Sequence, residues 1–218
     1  MAVVSKKRNF IFVHIFKCGG NSVRRALGAP SVGKMEDNLH AEEIMGAHVD
    51  INDLQKNYIR KNDTEFFNNA FKFAFVRNPF DWLLSTYFYI KCAKGHKFHD
   101  RISKMNLYQF LNWYIFVARY MDRPFGSNKY LHLKNFLTDE YGNVIIDYIG
   151  QIEKFQEGID HVLSTLDMKH QNVEVVNKNP NRKAEWKEYY DPRCRKIVET
   201  YFGEDLEFFG YNFEGMTK

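Results

Sequence analysis

A lysine, two glycines and a serine stand together in "FIFVHIFKCGGNS" (residues 10–22), directly behind a hydrophobic run. Lys17 supplies a full positive charge, Gly19 and Gly20 let the backbone approach a ligand closely, and Ser22 offers a hydroxyl. A buried strand, a glycine turn and a helix N-terminus together make an anion site. The first-turn N–H groups lack internal partners, and the helix dipole adds partial positive charge there. Read by itself, the stretch is equally a strand–helix turn with a solvated lysine. It is not a Walker loop, which needs four residues between its first glycine and GK[ST]; here the lysine precedes the glycines. The GxGxxG fingerprint is absent from this turn.

A second group lies in "FKFAFVRNPFDWLLSTYFY" (residues 71–89), where a strand ends in Arg77 and Ser85 follows eight residues on, inside the next helix. An arginine at a strand's carboxyl end can grip a phosphate bidentately, and a nearby hydroxyl can add a hydrogen bond. Read alone, Arg77 is a structural salt-bridge partner. Two strand-end anion grips about sixty residues apart suggest a ligand with two separated anionic groups.

The elements that must carry these residues follow from pattern. "NFIFVHI" (9–15) and "AFKFAFV" (70–76) read as buried strands. "NSVRRAL" (21–27) is the helix behind the glycines, and "INDLQKNYI" (51–59) is helical. Asn78 caps a helix through "FDWLLSTYFYIKCA" with Pro79 at its first position, and Asp191 with Pro192 does the same for "YDPRCRKIVETYF". "SKMNLYQFLNWYIFVARYM" and "EKFQEGIDHVLSTLDM" are further helices; a short helix is expected at "AEEIMG". "KNFLTDEYGNVIIDYIG" reads as two short strands around a Gly142-Asn143 turn, and "VEVV" as a short strand. Strands alternating with helices imply an α/β layer with a mainly parallel sheet.

Composition bounds the rest. The chain has 218 residues, 44% hydrophobic and 17% aromatic, enough for one domain with an aromatic-rich core. A net charge of +4 is too small to argue for nucleic acid and suits a small anionic ligand. Cys18, Cys92 and Cys194 are widely spaced, with no zinc pattern, and read as reduced thiols. Cys18 at a helix N-terminus would have a lowered pKa as a reactive thiol, but no second triad member is evident. No apolar run is long enough for a membrane span and no leader pattern opens the chain, so the expectation is a soluble, cytoplasmic protein with no membrane segment.

"FVHIFKCGGNS" resembles the "hxPKtGGTS" loop of sulfotransferases, and "FAFVRNPFDWLLSTY" is similar to their "FxfVRxPxxRlxSxY" segment. The resemblance is to the carbohydrate sulfotransferase group. It continues in "IDYIGQIEKFQEGIDHVLSTL" (146–166) and "VNKNPNRKAEWKEYYDPRCRKIVETYFGEDLEFFGY" (176–211), leaving 91–135 the least familiar. It implies a single domain over 1–218 with a P-loop-like, three-layer α/β fold, a central mainly parallel sheet flanked by helices. It also implies 3′-phosphoadenosine 5′-phosphosulfate as donor. By that analogy Lys17, Cys18, Gly19, Gly20, Asn21 and Ser22 wrap the 5′-phosphosulfate, and Arg77 and Ser85 hold the 3′-phosphate. Lys178 and Arg182, in the polar loop 177–183, close over the nucleotide; a surface loop is the plain alternative. The chain departs from the pattern at Phe16, Cys18 and Asn21, where Pro, Thr and Thr are usual, and at Trp82 and Gln151, each in place of a common Arg.

Sulfuryl transfer needs a group to take the acceptor's proton and charge stabilisation on the leaving phosphate. Lys17 serves the second need, so no metal is required. For the first, the resemblance favours His48, with His40 beside Glu42 and Glu43 as the other candidate. His14 reads as structural or cofactor-adjacent, and His96 and His99 as either a solvated loop or contacts for an anionic acceptor. The expected partner is a carbohydrate or small hydroxylated metabolite, and no nucleic acid. The rival readings are a kinase or nucleotide hydrolase on the same architecture, and a nucleotide-binding protein without catalysis.

Overall fold

The computed structural model describes residues 2–28, 43–45, 49–120, 132–170, 172–173 and 182–217. His40, His48 and Lys178 lie outside these residues, as do most of "VEVV" and of the loop 177–183. Two compact units are formed: Met1–Val76 with Asn135–Val176, and Arg77–Lys134 with Asn177–Lys218.

The first unit is built on a five-stranded sheet in the order β3-β1-β2-β4-β5. Its strands are β1 (Ala2–Ser5), β2 (Phe10–Val13), β3 (Glu43–Met45), β4 (Phe71–Val76) and β5 (Tyr148–Gln151). β2, β4 and β5 run parallel, with Val13 opposite Ala74 and Val76 opposite Gln151. β1 is antiparallel to both β2 and β3, so it alone opposes the other four strands. The sheet is therefore mixed and mostly parallel. β2 and β4 are buried on both faces, which is why they read as unbroken apolar runs rather than alternating ones.

One face gathers Val3, Phe10, Phe12, Phe73 and Phe75. They pack with Val23, Ala26 and Leu27, from α1 (Gly20–Ala26) and its end, and with Phe155, Ile159, Val162 and Leu163 of α7 (Phe155–Thr165). Phe12 stacks on Phe73 at 5.1 Å, and Phe75 meets Phe155 at 5.4 Å. The unit also holds α2 (Ile51–Arg60), capped by Asp50, and α3 (Thr64–Asn69).

Two expectations are corrected here. The segment "AEEIMG" contributes a strand, Glu43–Met45, because the edge of β1 offers it a ladder that a six-residue helix would leave unpaired. The stretch around Gly142 is not a two-stranded ribbon; a single bridge joins Thr138 and Val144. There Asp139 Oδ1 accepts from the amides of Tyr141 and Asn143 (2.9 and 2.8 Å), folding a tight side-chain-closed turn in place of a ladder. The later residues, Tyr148–Gln151, pair with β4 instead.

The second unit is helical: α4 (Pro79–Cys92), α5 (His99–Ile102), α6 (Leu107–Tyr120), α8 (Pro192–Tyr201) and α9 (Gly203–Phe209), with a small hairpin of β6 (Tyr211–Asn212) and β7 (Gly215–Met216). Asn78 and Asp191 cap α4 and α8 as the sequence predicts. Asn78 Oδ1 accepts from Phe80 N (3.1 Å) and Asp191 Oδ1 from Cys194 N (2.7 Å). Trp82 is core: it meets Tyr114 edge-on at 5.9 Å and Phe202 at 6.2 Å. No helix among the described residues is long and apolar enough to cross a membrane.

Candidate functional site

In the first unit the chain leaves the carboxyl end of β2, turns, and enters α1. The turn uses two left-handed residues, Lys17 at φ 60° and Gly19 at φ 74°. Cys18 N donates to Ile15 O (3.2 Å), and the amides of Ser22 and Val23 both donate to Gly19 O (2.9 and 3.1 Å). Gly20 and Asn21 open the helix, in the first turn, where amides have no intrahelical acceptor.

Both glycines suit close packing, and Gly19 also holds a left-handed backbone that favours glycine. A Cβ on Gly19 would sit 2.1 Å from Ile152 Cδ1, and one on Gly20 would sit 1.9 Å from His14 Nε2. The loop is thus backed by His14, which stacks on Phe12 at 5.9 Å, and by Ile152 just after β5. Cys18 and Ser22 are buried, Lys17 is half-buried and Asn21 is exposed. Phe16, standing where the resemblance has Pro, lies under the Lys17 ammonium at 5.9 Å from its ring centre, a cation–π contact at the outer limit of range. Burial of Cys18 argues against the reactive-thiol reading, since attack requires an accessible sulfur.

β4 ends at Val76, and the next residue in the chain is Arg77. In the second unit Arg77 turns onto its own helix: its Nε and Nη2 both lie 2.5 Å from Asp81 Oδ2. Arg182 Nη1 pairs with the other oxygen, Asp81 Oδ1. Arg182 Nε also donates to Ala184 O at 3.3 Å. Two predicted residues thus meet on a buried carboxylate that the sequence reading passed over. The signal was there: an acid four residues after an arginine at a helix start is a favoured ion-pair spacing. The second partner, 101 residues away, carries no local signal.

Ser85 follows Asp81 by four residues on α4 and is half-buried on the same helical face. Tyr190 lies within this unit's aromatic cluster and donates its hydroxyl to Phe80 O (2.7 Å). Burial first, then the negative charge of Asp81, holds its phenol well above the usual value, so it remains a donor.

The histidines after α4 serve the backbone. His96 Nδ1 accepts from Phe98 N (3.2 Å), and His99 Nδ1 lies 3.3 Å from Ile90 O. Burial, then Lys97 and His99, lowers the His96 pKa. A pair not anticipated is His132 with the buried Asp205, 3.3 Å apart. Asp205 also accepts from the amides of Leu133 and Lys134, both at 3.0 Å, and so fixes the chain there. A cleft of about 460 Å³ opens at the amino ends of β2 and β4, lined among others by Arg8, Asn69, Lys72 and Asp147. It lies at the opposite strand ends from the glycine loop, and Lys72 there is engaged by backbone carbonyls.

An anion suits what is present. In the first unit a half-buried lysine stands beside the helix-start amides of Gly20 and Asn21, and in the second two guanidiniums share one carboxylate; each is a cationic or donor-rich feature. Comparison with known proteins matches residues 1–212 to the model of the sulfotransferase family. No curated protein and no solved structure shows a match.

Proposed function

The chain belongs to the sulfotransferase family, and from that premise we propose that it sulfates a hydroxyl or amine of a carbohydrate or small metabolite. Its donor is 3′-phosphoadenosine 5′-phosphosulfate, as the family implies. The donor supplies an activated sulfuryl group and departs as adenosine 3′,5′-bisphosphate.

The observation that carries the site assignment is the glycine-backed loop between β2 and α1. Gly19 and Gly20 let the loop pack closely against Ile152 and His14, and the helix-start amides of Gly20 and Asn21, which lack intrahelical acceptors, are the donors we assign to the 5′-phosphosulfate. Lys17 is the charge stabiliser for the leaving oxygen, preorganised by its left-handed backbone and by Phe16. Cys18 contributes its backbone to the turn, and Ser22 fixes the first turn through Gly19. Arg77, Ser85 and Arg182 are the groups we assign to the 3′-phosphate, with Lys178 on the same polar loop as Arg182. His48, or failing it His40, takes the acceptor's proton.

Incubating the chain with donor labelled in its sulfate, against a panel of sugars and hydroxylated metabolites, should move label to an acceptor. His48→Ala should slow that transfer about a hundred- to ten-thousandfold while leaving nucleotide affinity nearly intact, with His40→Ala doing much less. The reverse ranking moves the base to His40. Label that never leaves the donor, alongside metal-dependent turnover of ATP, would overturn the reading.

A further inference from the structure

We propose that Asp81 is a positioning residue for the nucleotide's 3′-phosphate: it holds Arg77 and Arg182 side by side as one two-armed grip. The proposal rests on the assignment of Arg77 and Arg182 to that phosphate. Asp81 is 8% exposed, and its two oxygens are divided between the arginines, Oδ2 to Arg77 and Oδ1 to Arg182. Two guanidinium charges against one carboxylate leave the trio with a formal charge of +1. Each guanidinium carries five N–H donors in a flat fork, and a carboxylate oxygen engages only part of each fork. Asp81 thereby fixes the planes of two like-charged groups that would otherwise repel, which is the condition for bidentate recognition of a doubly charged phosphate. It also ties Arg182, at the end of the polar loop, to the helix that carries Ser85.

Charge alone predicts the opposite effect. Asp81→Asn raises the trio from +1 to +2, and simple attraction would then tighten anion binding. Positioning predicts weaker binding, confined to the ligand that has the 3′-phosphate. Calorimetry at one temperature with adenosine 3′,5′-bisphosphate and adenosine 5′-monophosphate separates these. The ratio of the two affinities in the unaltered chain should fall tenfold or more in Asp81→Asn, the scale of one charge-assisted hydrogen bond. The monophosphate affinity itself should hardly move. Asp81→Glu should recover part of the ratio. Arg182→Gln, which leaves the Arg77–Asp81 pair in place, should lower it as well and guards against a folding defect in Asp81→Asn. In an Arg77→Ala, Arg182→Ala background, Asp81→Asn should cost nothing further, since its effect runs through them.

A lowered melting temperature with an unchanged ratio would make Asp81 an ordinary structural ion-pair partner. Tighter bisphosphate binding would show that its charge merely repels the ligand. Either result overturns the inference while leaving the nucleotide assignment intact. An unaltered chain that does not prefer the bisphosphate removes that assignment and the inference with it.

Discussion

Lys17 sits at φ 60°, a conformation that costs a residue with a Cβ about 1–3 kcal/mol when not locally compensated. A glycine would occupy that backbone without strain, so substitutions there separate the lysine's charge from its backbone cost. Lys17→Ala and Lys17→Gly should both lower turnover by roughly a hundredfold or more, the scale for losing one preorganised stabilising group. They should part in stability: Lys17→Gly should denature later than Lys17→Ala, by about 1 kcal/mol in a urea titration. Unchanged turnover in both would remove Lys17 from the chemistry. His96 supplies a different test, because its lowered pKa works on folding. The ordinary value is 6.5, and in the folded chain burial, then Lys97 and His99, depress it. The neutral ring is also the form that accepts from Phe98 N. Its contribution is therefore complete above pH 6.5 and is lost as pH falls through that value toward the lower folded one. Stability measured between pH 7.5 and 5 should decline less steeply in His96→Asn than in the unaltered chain. Equal slopes would show that His96 titrates as it does unfolded.

At the scale of elements, β4 carries a lysine in the middle of an apolar run. Lys72 is 7% exposed, and its ammonium donates to Ala70 O (2.7 Å) and Phe67 O (3.2 Å), with Asp147 at 3.4 Å. It closes the end of α3 onto the strand that follows, satisfying carbonyls that the helix leaves open. Lys72→Met keeps the stem's packing and removes the donors, and should destabilise by about 1–3 kcal/mol in urea titration. A loss near zero would mean that water replaces the ammonium at those carbonyls. The strand itself was legible because "AFKFAFV" is otherwise apolar and stops at Arg77-Asn78-Pro79. α4 and α8 were legible for a related reason: Asn78-Pro79 and Asp191-Pro192 act within one helical turn. α3 and α9 were not, being six and seven residues long, too short for a period to show. β3 exists through its pairing with β1, about forty residues earlier in the chain, and nothing local announces such a partner. The candidate site divides the same way. The glycine loop and Arg77 are punctuation that can be read directly, and Asp81 is signalled by its spacing from Arg77, whereas the pairing with Arg182 has no local signal.

At the scale of the whole molecule, a formal charge of +4 over 218 residues gives little general attraction for anions. Any strong preference among nucleotides must then come from the local grips, and it should appear in global stability. A ligand that binds only the native chain stabilises it by about 2.7 kcal/mol at a hundred times its dissociation constant. For a chain of this size that is roughly a 5–11 °C rise in melting temperature. Adenosine 3′,5′-bisphosphate should give a shift of that order without added magnesium, because Lys17 and the arginines supply the positive charge. Adenosine 5′-monophosphate at the same concentration should give less, lacking the group assigned to Arg77 and Arg182. Arg77→Ala should lose most of the bisphosphate shift. That variant should not collapse, since Arg182 still neutralises the buried carboxylate that Arg77 leaves behind. Scanning calorimetry with these two ligands, and with ATP plus magnesium as a third, decides between the chemistries. A shift with MgATP and none with the bisphosphate would mean that the two grips serve a triphosphate, and the assignment of Arg77 to a 3′-phosphate would fall.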